Sequence, residues 1–323
     1  MRVFVTGGAG YIGSVCVERL LDTGHEVTVF DSLIEGHRSA VDARAAFVKG
    51  DLGDRAIIGQ ALKENRPEAI VHFAAFCLVG DSMANPGKYF RNNVAHGLNL
   101  LDAAVENGVR RFVFSSTCAV YGAPERLPMT EDLLPSPMNP YGESKLTFEK
   151  LLAWYHRIHG LEFVIFRYFN AAGASDRFGE HHRIETHLIP NILKVALGQN
   201  PQCEIYGADY PTPDGTCIRD YIHVSDLAQA HILALEGGKH GIYNLGNGGG
   251  YSIREVLRAC EQISGKKLPA VQKPRRAGDP PRLVASAEKA IRELGWKPEF
   301  PTLEQIVSSA WRWHKNHPNG YPD

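Results

Sequence analysis

Short apolar runs alternate with amphipathic stretches through the first half of the chain. Arg2-Val3-Phe4-Val5-Thr6 reads as a buried strand, and the turn after it leads into a helix whose Ile12, Val15, Cys16 and Leu20 share one face. Gly24 ends that helix, and Glu26-Val27-Thr28-Val29-Phe30 reads as the next strand. Ala46-Phe47-Val48, Ala69-Ile70-Val71-His72-Phe73, Arg111-Phe112-Val113-Phe114 and Phe163-Val164-Ile165-Phe166 repeat the pattern. Runs that are apolar at nearly every position fit parallel strands covered on both faces. They lead in turn to Gly50-Asp51-Leu52, Ala74-Ala75, Ser115-Ser116-Thr117 and Tyr168-Phe169-Asn170. Ligands of such sheets gather at the carboxyl ends of the strands, so four strand ends point at one crevice. The expected fold class is α/β, a doubly wound parallel sheet.

After Asn170 the pattern breaks into shorter, mixed pieces rich in Gly, Pro and charge. Residues 1–170 are therefore expected to form one domain, and 171–323 a second, smaller, mixed α/β domain covering the crevice. Tyr221-Ile222-His223-Val224 and the helical stretch after it suggest a return to the first sheet over about 220–237. Ser225 is the expected cap of that helix and Gly237-Gly238 its end. A last helix near 303–314 carries Trp311 and Trp313, both read as packing residues.

Composition narrows the function classes. The chain has 323 residues, 44% of them hydrophobic and 22% charged, with a formal charge of −1. That balance gives no general attraction to nucleic acid or to an anionic membrane. No apolar run approaches the roughly 18 residues of a membrane span. Strand residues begin at Val3, which leaves no room for a signal peptide, so a cytoplasmic location is expected. Cys16, Cys77, Cys118, Cys203, Cys217 and Cys260 lack zinc-like spacing and read as reduced thiols. The histidines show no metal motif, and no metal is expected.

Two constellations carry chemistry. Gly8, Gly10 and Gly13 spell G-x-G-x-x-G across the first strand-to-helix turn, where a pyrophosphate would rest on the positive helix end. Asp31 follows Gly13 by eighteen residues at the end of the second strand, near the spacing of the acid that binds an NAD ribose. Strand, glycines, helix, strand and acid in that order predict a Rossmann-type NAD site. No Lys or Arg follows Asp31 until Arg38, which favours NAD over NADP. Downstream, Tyr141 and Lys145 stand at i and i+4 of a helix opened by Pro140. Tyr-x-x-x-Lys is a common accident by itself. Behind a strand ending in Ser-Ser-Thr and a dinucleotide fingerprint, it reads as a catalytic pair in which the ammonium and the positive nicotinamide of bound NAD together favour the phenolate.

With these motifs on the page, the chain resembles the extended short-chain dehydrogenase/reductase family, over residues 3–296. The marks are Thr6-Gly7-Gly8-Ala9-Gly10-Tyr11-Ile12-Gly13, Asp51-Leu52, His72-Phe73-Ala74-Ala75, Ser115-Ser116-Thr117-Cys118-Ala119-Val120-Tyr121-Gly122 and Asn139-Pro140-Tyr141-Gly142-Glu143-Ser144-Lys145. Arg167-Tyr168-Phe169-Asn170, Gly215-Thr216-Cys217-Ile218-Arg219-Asp220-Tyr221-Ile222-His223-Val224 and Arg275-Arg276-Ala277-Gly278-Asp279 extend the likeness. The last two point towards the nucleotide-sugar epimerases of the family.

The resemblance implies an NAD-dependent isomerase that inverts C4 of a UDP-sugar through a transient 4-keto intermediate, with UDP-glucose and UDP-galactose as the expected pair. It makes Tyr141 the acid/base, Thr117 the partner of the reacting oxygen, and Lys145 the ligand of the nicotinamide ribose. NAD contacts fall to Gly7, Gly10, Tyr11, Ile12, Gly13, Asp31, Asp51, Leu52, Phe73, Ala74, Ala75, Asn92, Ser115, Tyr141, Lys145 and Phe169. The UDP-sugar falls to Thr117, Tyr141, Asn170, His187, Leu188, Tyr206, Arg219, Arg276, Asp279 and Leu283, the last beside the sugar C2. A homodimer through helices near 88–107 and 140–158 is also implied. Cys77 departs from the family by standing where well-studied members carry a lysine, and His187 by standing where many carry asparagine. UDP-N-acetylglucosamine and UDP-pentoses remain alternative substrates. A dehydratase similar to this chain would carry carboxylates directly after the threonine, where Cys118-Ala119 stand, and a non-catalytic NAD sensor would be expected to lack Tyr141 or Lys145.

Overall fold

The computed structural model describes residues 1–276 and 279–322. Ala277 and Gly278 of the expected Arg-Arg-x-Gly-Asp contact lie outside the described residues. Strands β1 (Arg2–Thr6), β2 (Glu26–Asp31), β3 (Ala46–Lys49), β4 (Ala69–His72), β5 (Arg111–Thr117) and β6 (Glu162–Tyr168) form one parallel sheet. Beyond it come β7 (Asn170–Ala172), β8 (Cys203–Tyr206), β9 (Ile218–Arg219) and β10 (Tyr221–His223), before β11 (Gly241–Leu245) returns beside β6. The seven-stranded order is β11-β6-β5-β4-β1-β2-β3, the doubly wound topology expected.

The alternation of the strands explains the two covered faces. Val3, Val5, Val29, Val71 and Val113 project to one side, into a core shared with the helices Tyr11–Asp22 and Val224–Leu235. Phe4, Ile70, Phe112 and Phe163 lie side by side in register on the other. They pack with residues of the helices Arg55–Asn65, Gly97–Glu106 and Pro140–His159. Each such buried ring contributes about 1.5–3 kcal/mol of transfer free energy.

Part of the return to the large sheet differs from the sequence reading. The strand Tyr221–His223 pairs with β7 in a separate two-stranded sheet, because its register follows Asn170–Ala172 and not β6. The Val224–Leu235 helix, within the expected 220–237, packs into the core of the large sheet, and β11 then adds a strand to it. His223, not Ser225, caps the intervening helix, its ring Nδ1 accepting the Ser225 amide at 3.0 Å. That helix ends at Leu235, and the two glycines close it as expected: Gly237 has φ +144° and the Gly238 amide donates to the Leu233 carbonyl at 3.1 Å.

The remaining pieces build the wall opposite the strand ends. β12 (Tyr251–Ser252) and β14 (Arg282–Leu283) flank β9, and β13 (Ala270–Lys273) pairs with β8. Helices Leu188–Ala196, Ile253–Ser264 and Leu303–Asn316 close a second core around Ile189, Leu193, Val256, Cys260, Ile306 and Val307. Trp313 is buried and Trp311 half-buried in packing roles.

Candidate active site

The glycine turn is built by backbone contact. Gly7 has φ +74°, and a Cβ there would meet the Ala74 amide nitrogen at 2.5 Å; one on Gly13 would meet the Gly7 carbonyl at 2.1 Å. Strand, turn and helix can therefore close only with glycine at both. Gly10 opens the Tyr11–Asp22 helix without a side-chain cap. Its first-turn amides have no intrahelical acceptor and suit a pyrophosphate.

Asp31, at the end of β2, accepts the Ala9 amide at 3.0 Å and the Leu33 amide at 2.8 Å, one on each oxygen. Burial raises its pKa and these two hydrogen bonds oppose the rise. Each oxygen keeps lone-pair capacity for a ribose hydroxyl. Phe73 and Ala74 both donate their amides to the Thr6 carbonyl, which sets the strand end beside the glycine turn. Ala75 follows, half-buried. Leu52 is buried in the core below, while Asp51 accepts the Gly53 amide at 2.7 Å and faces His96. Tyr11 donates its hydroxyl to the Gly173 carbonyl at 2.7 Å, linking the turn to the second half of the chain, and Ile12 packs beneath.

The reaction centre sits where β5 ends against the Pro140–His159 helix. Asn139 caps this helix by accepting the Gly142 amide at 2.9 Å, Pro140 occupies the first turn, and Gly160 ends it with φ +69°. Tyr141 is half-buried and bonded to the Thr117 hydroxyl. The Thr117 oxygen also accepts the Ala119 amide at 3.1 Å. Lys145 is 3% exposed and donates to the Ser115 carbonyl at 2.8 Å. Burial lowers its pKa to about 8, against the opposing charges of Cys77 and Glu149.

The expected lowering of Tyr141 rests on its neighbouring ammonium together with the positive nicotinamide of bound NAD, and desolvation works against it. Burial pushes the phenol upward, the charges of Cys77, Cys118 and Tyr89 add to the rise, and the Thr117 hydrogen bond opposes it. Desolvation of the phenolate is the largest of these effects. Desolvation likewise raises the Cys77 thiol, while the charges of His187 and Lys145 lower it.

Opposite these groups stands a basic, hydrogen-bonded wall. Arg219 on β9 is buried, donates to the Ile218 carbonyl at 2.8 Å and pairs with Asp279. The Arg276 guanidinium lies 4.2 Å over the Tyr206 ring, whose hydroxyl bonds Glu204 at 2.5 Å. Asn170 spends its amide and its side-chain NH2 on the Asp220 carbonyl, at 3.0 and 2.9 Å. Leu283 on β14 stands in register with Arg219 and packs on the cluster holding Phe169, Val120, Tyr121 and Leu146. Leu188 begins the Leu188–Ala196 helix, and His187 precedes it.

Three features escaped the sequence reading. The first is Asn93, one residue past the expected Asn92 and inside the π-helical segment Phe90–His96. Its side chain accepts the Phe76 amide at 2.9 Å, donates to the Phe76 carbonyl at 3.0 Å, and reaches Ser144 Oγ at 3.0 Å. Asn92 instead donates to Asn93. The second is a buried network behind Lys145: Ser116 and Arg167 converge on Glu149, Arg167 Nη2 at 2.6 Å. The third is a histidine and carboxylate group that the sequence reading, which expected no metal, did not single out. Glu180, His182, Glu185 and His187 gather in one loop, each offering a ligand atom within 4.8 Å of the others. His156, Glu162 and His240 form a second, looser group at the surface.

Residues 3–246 match the model of the NAD dependent epimerase/dehydratase family. The chain belongs to this family. A member named UDP-glucose 4-epimerase from Lacticaseibacillus casei is 49% identical, the alignment covering 100% of this chain and 99% of that protein. The crystal structure of UDP-glucose 4-epimerase from Bifidobacterium longum, in complex with NAD+ and UDP, superposes with a TM-score of 0.95 at 38% identity. It covers 99% of this chain and 100% of that one. The UDP-Glc/GlcNAc 4-epimerase of Campylobacter jejuni is similar at a TM-score of 0.85 and 39% identity, covering 98% and 99%. The family's hallmark turn, acid and Tyr-Lys pair therefore occur here in a chain alike from end to end.

Proposed function

We propose that the chain catalyses NAD-dependent C4 epimerisation of a UDP-sugar, interconverting UDP-glucose and UDP-galactose. The observation that carries this reading is the meeting of Thr117, Tyr141 and Lys145 at one strand end, between the glycine turn and the Arg219–Asp279 wall. NAD, when bound, accepts a hydride from the sugar C4 and returns it to the opposite face. The uncapped first turn of the Tyr11–Asp22 helix and the two Asp31 oxygens fit its pyrophosphate and ribose. Asp51, Leu52, Phe73, Ala74, Ala75, Asn92, Ser115 and Phe169 line the remainder of its path.

Tyr141 takes the proton of the sugar 4-hydroxyl and later gives it back, with Thr117 holding the same oxygen. To take that proton Tyr141 must enter the step as phenolate: burial opposes that form, and the Lys145 ammonium with the positive charge of bound cofactor would favour it. Arg219 and Arg276 offer planar forks of donors to the diphosphate, and Asn170, His187, Leu188, Tyr206 and Asp279 complete the nucleotide contacts. Residues 1–170, joined again by about 220–237, would hold the cofactor, and 171–323 the sugar nucleotide.

We infer a homodimer and a cytoplasmic location. Trp154 and Ile158 are 53% and 66% exposed on the Pro140–His159 helix, and Leu98 is exposed on the Gly97–Glu106 helix, which supports an apolar pairing face. Among the described residues no helix is long and apolar enough to cross a membrane.

The test is incubation of the purified protein with UDP-glucose, UDP-galactose, UDP-N-acetylglucosamine and UDP-arabinose, with C4 inversion read by NMR. Inversion of the hexose pair without net consumption of NAD, and extraction of NAD and not NADP, are expected. Loss of water from the sugar, or net reduction of NAD, would overturn the reading.

A further inference from the structure

We propose that residues 180–187 bind a divalent transition-metal ion of the zinc class, held by Glu180, His182, Glu185 and His187. The loop repeats one unit, Glu180-x-His182 and then Glu185-x-His187, and folds the two units onto each other. Glu180 Oε1 lies 3.0 Å from His187 Nδ1 and 3.2 Å from His182 Nε2; His187 Nδ1 lies 3.0 Å from Glu185 Oε1. Zinc bonds of about 2.0–2.1 Å in a tetrahedron separate neighbouring ligand atoms by roughly 3.3 Å. These separations are already close to that edge. Two imidazoles and two carboxylates are also a donor set suited to zinc.

The electrostatics of the loop favour a cation there. The Glu180 and Glu185 side chains are only 5% and 4% exposed. Among the described residues, the groups that face them are the His182 and His187 imidazoles and not a lysine or arginine. Buried carboxylates require a partner of opposite charge or a metal. Arg183, in the middle of the loop, turns away and donates to the carbonyls of Ile34 and Gly36, at 2.9 and 3.3 Å. That contact anchors the loop and keeps its guanidinium out of the cluster.

The ion would lie between the two halves of the chain. His182 stands edge-on to Tyr11 of the glycine turn, with ring centroids 6.2 Å apart. His187 directly precedes the Leu188–Ala196 helix. Ligation through Nδ1 leaves His187 Nε2 as a donor on the exposed side of the ring, which keeps 45% of its side-chain surface. The ion thus pins the loop across the crevice and takes no part in the proton and hydride transfers. The second group is a poorer site: Glu162 stands 4.0 Å from His156 Nδ1, which already faces the Leu161 carbonyl at 3.1 Å.

The experiment uses the untagged full chain, treated with chelator, dialysed and titrated with ZnCl2 by calorimetry, with bound metal counted by mass spectrometry. One zinc ion per chain is expected, and Co2+ in its place should give the visible bands of a tetrahedral site. His182→Ala and Glu185→Gln should each weaken Zn2+ binding at least about tenfold, while His156→Ala leaves it unchanged. Circular dichroism confirms folding, and the nearly isosteric Glu185→Gln serves if His182→Ala does not fold. Absence of stoichiometric binding, or binding lost with His156→Ala but kept in Glu185→Gln, would overturn the assignment.

Discussion

The Lys145 ammonium donates to the Ser115 carbonyl across 2.8 Å and lies 4.8 Å from the centre of the Phe114 ring. One contact thus fixes the helix that carries Tyr141 to the strand that carries Thr117. It also holds a charge where water is excluded, and burial brings Lys145 down from 10.5 to about 8. Between those values the unfolded chain keeps a proton that the folded chain has released. This group therefore adds to stability as pH rises from about 8 towards 10.5, and adds nothing further below 8. The ammonium is the form that donates to ribose hydroxyls, so NAD affinity should fall as pH rises through about 8. Calorimetry on both sides of that pH, in wild type and Lys145→Met, checks this. An identical pH dependence in the two proteins would refute it.

Tyr141→Phe retains the ring and its edge contact with Tyr89, centroids 6.4 Å apart, but removes the hydroxyl bonded to Thr117. Turnover should fall by at least about 10²–10⁴-fold, the range of general acid–base catalysis. NAD and UDP should bind almost as before, because their proposed contacts lie largely elsewhere. Single-turnover NMR and binding calorimetry separate the two effects. Near-normal turnover would remove Tyr141 from the mechanism.

Asn93 closes the space between the segment after β4 and the catalytic helix with three hydrogen bonds, to both backbone groups of Phe76 and to Ser144 Oγ. Asn93→Ala strands the Phe76 groups in a buried setting and should cost about 1–3 kcal/mol in urea unfolding. Because Ser144 lies between Tyr141 and Lys145, kcat should also fall while KM for the sugar nucleotide changes little. Unchanged stability would mean that water replaces the side chain at no cost.

The difference between Asn92 and Asn93 shows where sequence reasoning stops. The glycine turn, Asp31 and the Tyr141–Lys145 pair were legible because each depends on local geometry: a turn that a Cβ would block, a strand end, a helical i, i+4 step. Asn93 depends on the extra width of a π-helical turn, which no apolar period announces. The pairing of β10 with β7, and not with the large sheet, depends on which distant register wins. The phenol pKa depends on desolvation, which a motif does not contain. The Glu-x-His pairs were in plain view, but their convergence comes from a loop that Arg183 folds back onto Ile34 and Gly36.

Leu283 carries the last prediction, on which sugar fits. It stands in register with Arg219 on one side and packs against the cluster of Phe169, Tyr121 and Leu146 on the other, between the diphosphate wall and the reaction centre. The family resemblance puts this position beside the sugar C2, where a tyrosine would exclude an N-acetyl group. Leucine is smaller and brings no hydroxyl needing a partner, so room for an acetamido group is expected. Wild type should therefore invert UDP-N-acetylglucosamine measurably, though less readily than UDP-glucose. Leu283→Tyr should suppress the acetamido substrate more than the plain hexose, because a steric block acts only on the larger C2 substituent. Competition between the two substrates, followed by NMR, gives the ratio of kcat/KM directly. If both activities fall equally, Leu283 is a packing residue of its cluster and the C2 pocket lies elsewhere.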